Sequence, residues 1–456
     1  MLASRQRVVA SPAVAFGDES ERGANRRAIT GLQRRQAERR LLYGILVALL
    51  LISYAAIGKD ILHNPVKYAV FISPYDEYYN RLRYLTILII FGVTLLERRA
   101  AASIGRVWHI APLLGVAIAS VAWSSDVVIT ARSALLLSGL VVGTAMIIDR
   151  IGVAAFFRIQ LHFLALIMLA SAFAAIALPD IGRHSPNDIL ERGHIGQWRG
   201  IFSHKNGLGA YAAIATVQLF LFVRPTGKTQ AYWWAARGAA VACLLLAGSA
   251  TSVTAAVVGF LFYLLLRNRH TSHPFILSIL AGLVVVVAGA LSAGLADILG
   301  LFGRDVTLTG RTQIWATALE MIDQHLWLGL GYGSHVNVMM DYLRTALFSS
   351  AVDTHNGYLD VLAAVGLIGF ICFLLAVIVS IGKAYSVARR ATGQLRDIGL
   401  ASACTIVMSL TVGMGEVSPF RAVGYGGALF WMSMVLAACA QHQLLRAKPA
   451  DGGSAA

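Results

Sequence analysis

The chain has 456 residues, of which 57% are hydrophobic and only 13% are charged, and its mean hydropathy is +0.68. A composition this apolar over this length excludes ordinary soluble enzymes and binding modules, and predicts an integral membrane protein. The formal net charge is +15. We predict that membrane lipids surround the protein and that it has no nucleic-acid partner.

The first forty residues carry nine arginines and four acidic residues but no apolar run. They are therefore predicted to form neither a signal peptide nor a folded domain, but a disordered basic cytoplasmic tail over 1–40. Such a tail could lie against anionic lipid or simply anchor the topology.

Apolar stretches near the length needed to cross the hydrocarbon core, about 20 residues, recur roughly twelve times along the chain. They fall near 41–57, 82–97, 107–123, 133–149, 153–178, 207–223, 231–247, 250–266, 274–300, 356–382, 399–413 and 421–441. The predicted fold is an all-α polytopic membrane protein, because the alternation of a β-barrel strand is absent. We predict that transmembrane helices 1–9 occupy residues 41–300 and that a large loop follows at 301–355. Transmembrane helices 10–12 then occupy residues 356–441, and a cytoplasmic tail occupies residues 442–456.

The four cysteines lie inside apolar runs and have no spacing typical of a metal site or a disulfide framework. They are Cys243, Cys372, Cys404 and Cys439. We predict that they are small core residues, and we predict no metal and no cofactor.

Short loops rich in Lys and Arg remain in the cytoplasm. Basic residues follow the second, fourth, sixth, eighth and tenth predicted spans, and an even number of spans then places both termini inside. The consequence is that "RGIFSHKNG" at 199–207, "GSATS" at 248–252, the segment 301–355 and "GMGEVSPFR" at 413–421 all emerge on the outer side. Four separated stretches could therefore converge on one site.

These outer stretches are rich in Arg, His and Asn and contain few carboxylates to neutralise the cations. The loop 179–206 alone has Arg183, His184, Arg192, His194, Arg199, His204 and Lys205 against Asp180, Asp188 and Glu191. Such a concentration favours an anionic ligand, and the planar guanidinium fork suits phosphate oxygens. The alternative is that these cations pair with lipid headgroups or with neighbouring carboxylates.

The long segment carries "GRDVTLTGRTQIW" at 303–315, in which Arg304 and Arg311 lie seven residues apart and would share a helical face. The continuation predicts an amphipathic helix whose apolar side holds Ile314, Trp315, Ala318, Leu319 and Ile322. "GLGYG" at 329–333 has no preceding strand and no following Gly-Lys-Ser/Thr, so it predicts a sharp turn and not a phosphate loop.

"DTHNGYLDVL" at 353–362 places His355 at the start of a membrane helix, with Asn356 beside it. The positive end of the helix dipole favours a neutral imidazole there, which suits a general base or a hydrogen-bond acceptor. The alternative role is an N-terminal cap. Asp353 and Thr354 can already cap this helix, which leaves His355 less needed for that purpose.

Several enzyme signatures are missing, including an Asp-x-Asp pair, G-x-S-x-G, H-E-x-x-H and a Walker loop. The remaining reaction type is one in which arginines hold a phosphorylated leaving group, one base deprotonates an acceptor, and a preactivated substrate supplies the energy.

Four motifs of the chain are separated by apolar spans. In chain order they are "WRGIFSHKNGLG", "LTGRTQIW", "LGLGYG" and "THNGYLDVLAAVGLIGF". In these four motifs the chain resembles the O-antigen ligase/polymerase superfamily. That superfamily includes Wzy-type polymerases and WaaL-type ligases, and the sequences of these motifs are most similar to those of the ExoQ-type exopolysaccharide polymerases. The resemblance implies a metal-independent, GT-C-like glycosyltransferase on the periplasmic side of the inner membrane. It further implies an inverting transfer from an undecaprenyl-diphosphate-linked oligosaccharide donor to a glycan acceptor, with a chain-length regulator as a possible partner.

Carried onto this sequence, the resemblance makes His355 the catalytic base and Arg199 and Arg311 the diphosphate ligands, with Arg304 and His204 as further candidates. Lys205, Asn206 and Asn356 are the other predicted substrate-binding residues. Many superfamily members have a basic residue in the turn before the large loop, whereas this chain has "GSATSVT". Arg421 of "SPFRAVG" is the candidate to replace it.

Two other functions are compatible with these motifs. One is ligation, in which the glycan is transferred to lipid A core or to a protein by the same active-site chemistry. The other is transport of an anion or a lipid-linked saccharide. Transporters usually have ionisable groups or broken helices at the membrane midplane, whereas the charged residues of this chain lie near the ends of the predicted spans. That pattern favours an enzyme.

Overall fold

The computed structural model describes residues 41–54, 74–95, 100–186, 193–268, 307–347, 353–416, 420–423 and 426–447. The chain divides into two compact units, residues 1–45 and 46–456. Of the first unit only residues 41–45, the beginning of one helix, are described. The following paragraphs concern the second unit.

Within the described ranges the chain is helical and forms no strand, apart from one isolated bridge between Arg183 and Trp198. The helices are α1 (Leu41–Tyr54), α2 (Pro74–Leu95), α3 (Ala100–Arg106), α4 (Ala111–Ala119), α5 (Val127–Ile151), α6 (Val153–Ala177), α7 (Pro179–Gly182), α8 (Lys205–Phe222), α9 (Gln230–Leu246), α10 (Ala250–Arg267), α11 (Thr307–Asp323), α12 (His335–Leu347), α13 (Gly357–Arg390), α14 (Gly393–Val412) and α15 (Gly427–Arg446).

Six of these helices are long and apolar enough to cross a membrane, namely α5, α6, α10, α13, α14 and α15. The other predicted spans that fall in described ranges are also helical, two of them as the short apolar helices Leu41–Tyr54 and Ala111–Ala122. The predicted span 274–300 lies outside the described residues. The all-helical prediction is therefore confirmed for the described chain, while the count of about twelve spans remains a prediction.

Helices α14 and α15 form the centre of the bundle, and most of their residues are buried. A chain of side-chain hydrogen bonds connects this centre to α6 and α8. The amide of Gln160 donates to Gln218 (3.3 Å), and the amide of Gln218 donates to the hydroxyl of Thr405 (2.6 Å). In an apolar environment, polar groups that satisfy one another across helices hold those helices in register.

Helix α13 is interrupted at Gly366, where φ is 64° and ψ is −171°. The backbone groups released by the break bond to the segment before α12: Leu330 N–H donates to Ala363 O (2.8 Å), and Leu367 N–H donates to Leu326 O (2.7 Å). Non-helical backbone inside a membrane protein is stable only when its polar groups are satisfied in this way. The predicted "GLGYG" turn is confirmed, since Gly329, Gly331 and Gly333 all have positive φ.

The segment 301–355, predicted as a loop with one amphipathic helix, contains α11 and α12 in its described part. They pack on a small core made by Ala318, Ile322, Leu330, Met339, Leu343 and Ala363. The amphipathic helix is thus confirmed, but Leu319 was wrongly assigned to its apolar side, because it is 48% exposed. The buried stripe follows the spacing 314, 318 and 322, and Leu319 lies beyond its edge.

Candidate active site

The predicted outer stretches 199–207 and 248–252 meet where α6 and α9 end and α8 begins. Trp198 N–H donates to the carbonyl of Leu246 at the end of α9 (3.0 Å). The amino group of Lys205 lies 3.4 Å from the carbonyl of Gly248. Lys205 therefore binds the protein backbone in "GSATS", and its ammonium satisfies a carbonyl at a helix end.

The other two stretches, 413–421 and the end of 301–355, lie at the same end of the bundle. The amide of Asn206 donates to Glu416 Oε1 (2.6 Å), and Gly357 N–H donates to the carbonyl of Gly413 (2.8 Å). A side chain at Gly357 would collide with the ring of Phe420, so this close approach requires glycine. The predicted convergence of the four stretches on one end of the bundle is confirmed.

His355 lies immediately before the cap of α13 in a strained backbone conformation. Its φ is 46°, and it is the only non-glycine residue with positive φ in the part of the chain that the structure describes. Its N–H donates to Asp353 Oδ1 (2.8 Å), and its Nδ1 lies 3.3 Å from the same oxygen. Strain of this kind is kept when a side chain must point in a particular direction.

The cap of α13 is Asn356, whose side-chain oxygen accepts hydrogen bonds from Tyr358 N–H (3.0 Å) and Leu359 N–H (3.3 Å). The expectation that Asp353 and Thr354 would cap the helix is wrong, because the Asp353 carboxylate turns back to His355. Asn356, predicted to bind substrate, uses its side-chain oxygen for this cap, and its role in substrate binding remains a prediction. His355 is free of the capping role, as the sequence predicted.

Glu416, a carboxylate close enough to His355 to interact with it electrostatically, was not predicted from the sequence. Burial raises the pKa of Glu416, against the lowering influence of His355, His204 and Arg311. Asn206, predicted as substrate-binding, is its hydrogen-bond donor. The signal available in the sequence was a single acidic residue in "GMGEVSPFR", which by itself did not distinguish it from a solvated turn residue.

Arg311 lies in the first turns of α11, and its guanidinium is next to Gly415, one residue before Glu416. Arg311 and His355 are thus brought to the same turn, as predicted. Trp315, one helical turn further, donates from Nε1 to the carbonyl of Thr354 (2.9 Å) and fixes α11 against the start of α13.

Arg199, also predicted to bind the diphosphate, contacts the protein backbone in the structure. Arg199 donates from Nε to the carbonyl of Ile181 (2.8 Å) and from Nη2 to the carbonyl of Asp180 (3.2 Å), so that it caps the short helix α7. Arg304 lies outside the described residues. His204 accepts the Asn206 N–H at Nδ1 (3.2 Å) and forms the N-cap of α8.

Arg421 belongs to a buried ion-pair cluster with Asp360 and His335. Its Nε donates to Asp360 Oδ2 (2.9 Å), its Nη2 donates to Oδ1, and His335 Nε2 lies 3.1 Å from Oδ1. The Asp360 carboxylate raises the pKa of Arg421 despite its burial. The charge of Arg421 is therefore largely neutralised within the protein, which limits the predicted replacement of the missing cation.

Two comparisons with known proteins bear on this site. Residues 235–374 match the sequence model of the O-antigen ligase family. The chain is also 34% identical over 194 residues to the exopolysaccharide production protein ExoQ of Rhizobium meliloti (strain 1021), a match that covers 39% of this chain and 45% of that protein. The chain thus matches less than half of the length of this relative. The predicted resemblance to the O-antigen ligase/polymerase superfamily, most similar to ExoQ, is confirmed.

Proposed function

Because residues 235–374 carry an O-antigen ligase family domain that contains both Arg311 and His355, we propose that this membrane protein is a polysaccharide polymerase. It joins lipid-diphosphate-linked oligosaccharide repeat units into surface polysaccharide. The observation that carries the proposal is the group of His355, Arg311 and Glu416 at the junction of α11, α13 and the turn after α14.

In the proposed reaction, His355 accepts the proton of an acceptor hydroxyl, and the hydroxyl oxygen forms a bond to the anomeric carbon of the donor. The bond from that carbon to the diphosphate breaks, and its electron pair leaves with the lipid diphosphate. Attack from the side opposite the leaving group inverts the anomeric configuration. Asp353, whose carboxylate lies 3.3 Å from Nδ1 of His355, stabilises by its charge the imidazolium that forms.

Arg311 supplies the complementary electrostatic effect. Negative charge grows on the diphosphate as the bond breaks, so a guanidinium fixed beside it binds the transition state more strongly than the ground state. We assign Arg311 as the principal diphosphate ligand. Arg199 and Arg421 have roles in holding helix ends and the Asp360 cluster, and contribute charge to the surroundings of the site.

The proposed location is the bacterial inner membrane, with the active site facing the periplasm and energy coming only from the lipid-linked donor. This proposal rests on the predicted loop orientation and on the family's association with polysaccharide synthesis. A chain-length regulator would be a further partner.

The proposal is tested by the size distribution of surface polysaccharide in a deletion strain complemented with wild type, His355→Ala or His325→Ala at matched protein level. His325 is exposed at the end of α11 and is the matched control. We expect His355→Ala to leave single repeat units and to abolish high-mass polymer, while His325→Ala resembles wild type.

Two other outcomes would contradict polymerisation. If the wild type restores only the transfer of a preformed polymer from its lipid carrier to another acceptor, the protein is a ligase. If His355→Ala gives the wild-type distribution, His355 is not the catalyst, and a vesicle flux assay would then test the transporter alternative.

A further inference from the structure

A cavity of about 330 Å³ lies at the same end of the bundle and includes none of the His355, Arg311 or Glu416 side chains among its lining residues. It is bounded by α2, α5, the turn before α12, the first turns of α13 and the turn 420–423. This cavity adjoins the His355 cluster, which consists of His355, Arg311 and Glu416. Phe420 connects the two, because it contacts Gly357 next to this cluster and also lines the cavity wall.

The polar side of this cavity presents hydrogen-bond donors. The hydroxyl of Tyr84 is buried, and the part of the chain that the structure describes offers it no hydrogen-bond partner. Arg132, an exposed residue of α5, lines the same cavity. A buried hydroxyl without a partner is rare in folded proteins and points to an atom that binds there.

The charge of the cavity favours an anion. Its acidic lining residue, Asp360, already accepts hydrogen bonds from Arg421 and His335, so its negative charge is compensated inside the protein. The guanidinium of Arg132 then remains as the uncompensated charge among the lining side chains. A guanidinium and a phenol together suit a phosphate oxygen.

Most of the residues that line the cavity are apolar, and Leu113, Leu137, Phe373 and Trp431 are among them. A ligand that fills it must therefore combine an anionic group with hydrocarbon. The volume lies at the lower end of small-molecule sites, about 300–1,000 Å³, so the cavity holds a headgroup and the first carbons of a chain and not an entire lipid.

We propose that this cavity binds the phosphate end of a second lipid-linked substrate, the acceptor, beside the donor site at His355. The inference rests on the proposed function: a reaction that joins two lipid-linked saccharides must hold both lipid anchors at one membrane face at the same time. Arg132 and Tyr84 hold the phosphate, and the apolar wall holds the adjoining prenyl carbons.

The experiment measures binding of farnesyl phosphate to the purified full chain in dodecyl maltoside, a detergent without phosphate. The Arg311→Ala background removes the principal phosphate ligand of the donor site, so that binding there is weakened in every variant compared. We expect farnesyl phosphate to bind more tightly than farnesol or inorganic phosphate. Adding Arg132→Ala should weaken this binding about tenfold, the loss expected for one charge-assisted contact.

Tyr84→Phe removes a single oxygen atom and should weaken binding severalfold without disturbing the fold, which covers the case in which Arg132→Ala misfolds. Arg224→Ala, an exposed arginine at the opposite end of α8, is the matched control and should not change binding.

Equal affinity for farnesol would mean an apolar pocket only, equal affinity for inorganic phosphate would mean a free-phosphate site, and unchanged affinity in both variants would place the probe elsewhere. Each result overturns the proposal. Because the assay needs no glycosyl transfer, an inactive protein that still binds the probe through Arg132 and Tyr84 would refute the proposed function and leave the site standing.

Discussion

Replacement of Asp360 by Asn tests the buried ion pair that fixes the turn 420–423 to α13. The amide keeps the shape of the side chain but removes the charge that Arg421 and His335 face. Removing one partner of a buried pair typically costs about 3–5 kcal/mol, because the other charge is left buried. The side chain of Arg421 is 25% exposed, so we expect the lower end of that range, about 3 kcal/mol.

Thermal unfolding of the purified protein in detergent measures this loss. At about 2 °C per kcal/mol, the lower end of the range for large domains, the melting temperature of Asp360→Asn should fall by roughly 6 °C. Asp323→Asn is the matched control, because Asp323 is exposed at the end of α11. Its melting temperature should equal that of wild type.

The double variant Asp360→Asn/Arg421→Gln separates the ion pair from a general packing defect. Once Asp360 is neutral, Arg421 has lost the partner that compensates its burial, so Arg421→Gln should cost less than about 1 kcal/mol further. If the destabilisation of the double variant equals the sum of the losses in Asp360→Asn and in Arg421→Gln alone, the two side chains are not coupled and do not act as an ion pair.

The remaining predictions concern the His355 cluster. Arg311→Ala should lower the initial rate of polymer formation by about two to three orders of magnitude, with Arg311→Lys restoring only part of it; full activity of either variant would exclude the diphosphate role. His355→Gly should melt at a higher temperature than His355→Ala, since glycine relieves about 1 kcal/mol of strain at positive φ; equal melting would mean that the backbone there is relaxed. Burial raises the pKa of Glu416 above its ordinary value of 4.5. The wild-type protein therefore loses stability as the pH rises from 4.5 through the raised pKa, because the buried carboxyl must then ionise. Glu416→Gln should therefore melt above wild type at neutral pH and not below pH 4.5, and a gain that is independent of pH would contradict this.

The positions of the helices could be predicted from the sequence because apolar runs of membrane-spanning length are a strong local signal. The break in α13 could not. Gly366 lies in the uninterrupted apolar run "AAVGLIGF", and its unwinding depends on backbone donors and acceptors from 326–331, which only the tertiary structure brings to it. Leu319 was misassigned for a similar reason, since the neighbours of α11 determine how wide its buried stripe is.

The candidate site was predictable to the extent that its residues carry local signals. His355 and Arg311 stand in recognisable motifs, and the structure brings them to one turn. Glu416 has no such signal, because its burial and its contact with Asn206, 210 residues away in sequence, arise only from packing. Arg199 has a strong charge signal, yet its guanidinium donates to backbone carbonyls that the sequence does not identify.

Polymerisation with His355 as the base is tested by a reaction of the purified protein with a lipid-diphosphate-linked repeat unit, followed by mass spectrometry and analysis of the anomeric configuration. We expect lipid-linked dimers and longer oligomers, one released lipid diphosphate for each new linkage, and inversion at the joined anomeric carbon. All three should be lost in His355→Ala and retained in His325→Ala. Oligomers formed equally by His355→Ala, or linkages that retain the donor configuration, would contradict polymerisation by inversion at His355.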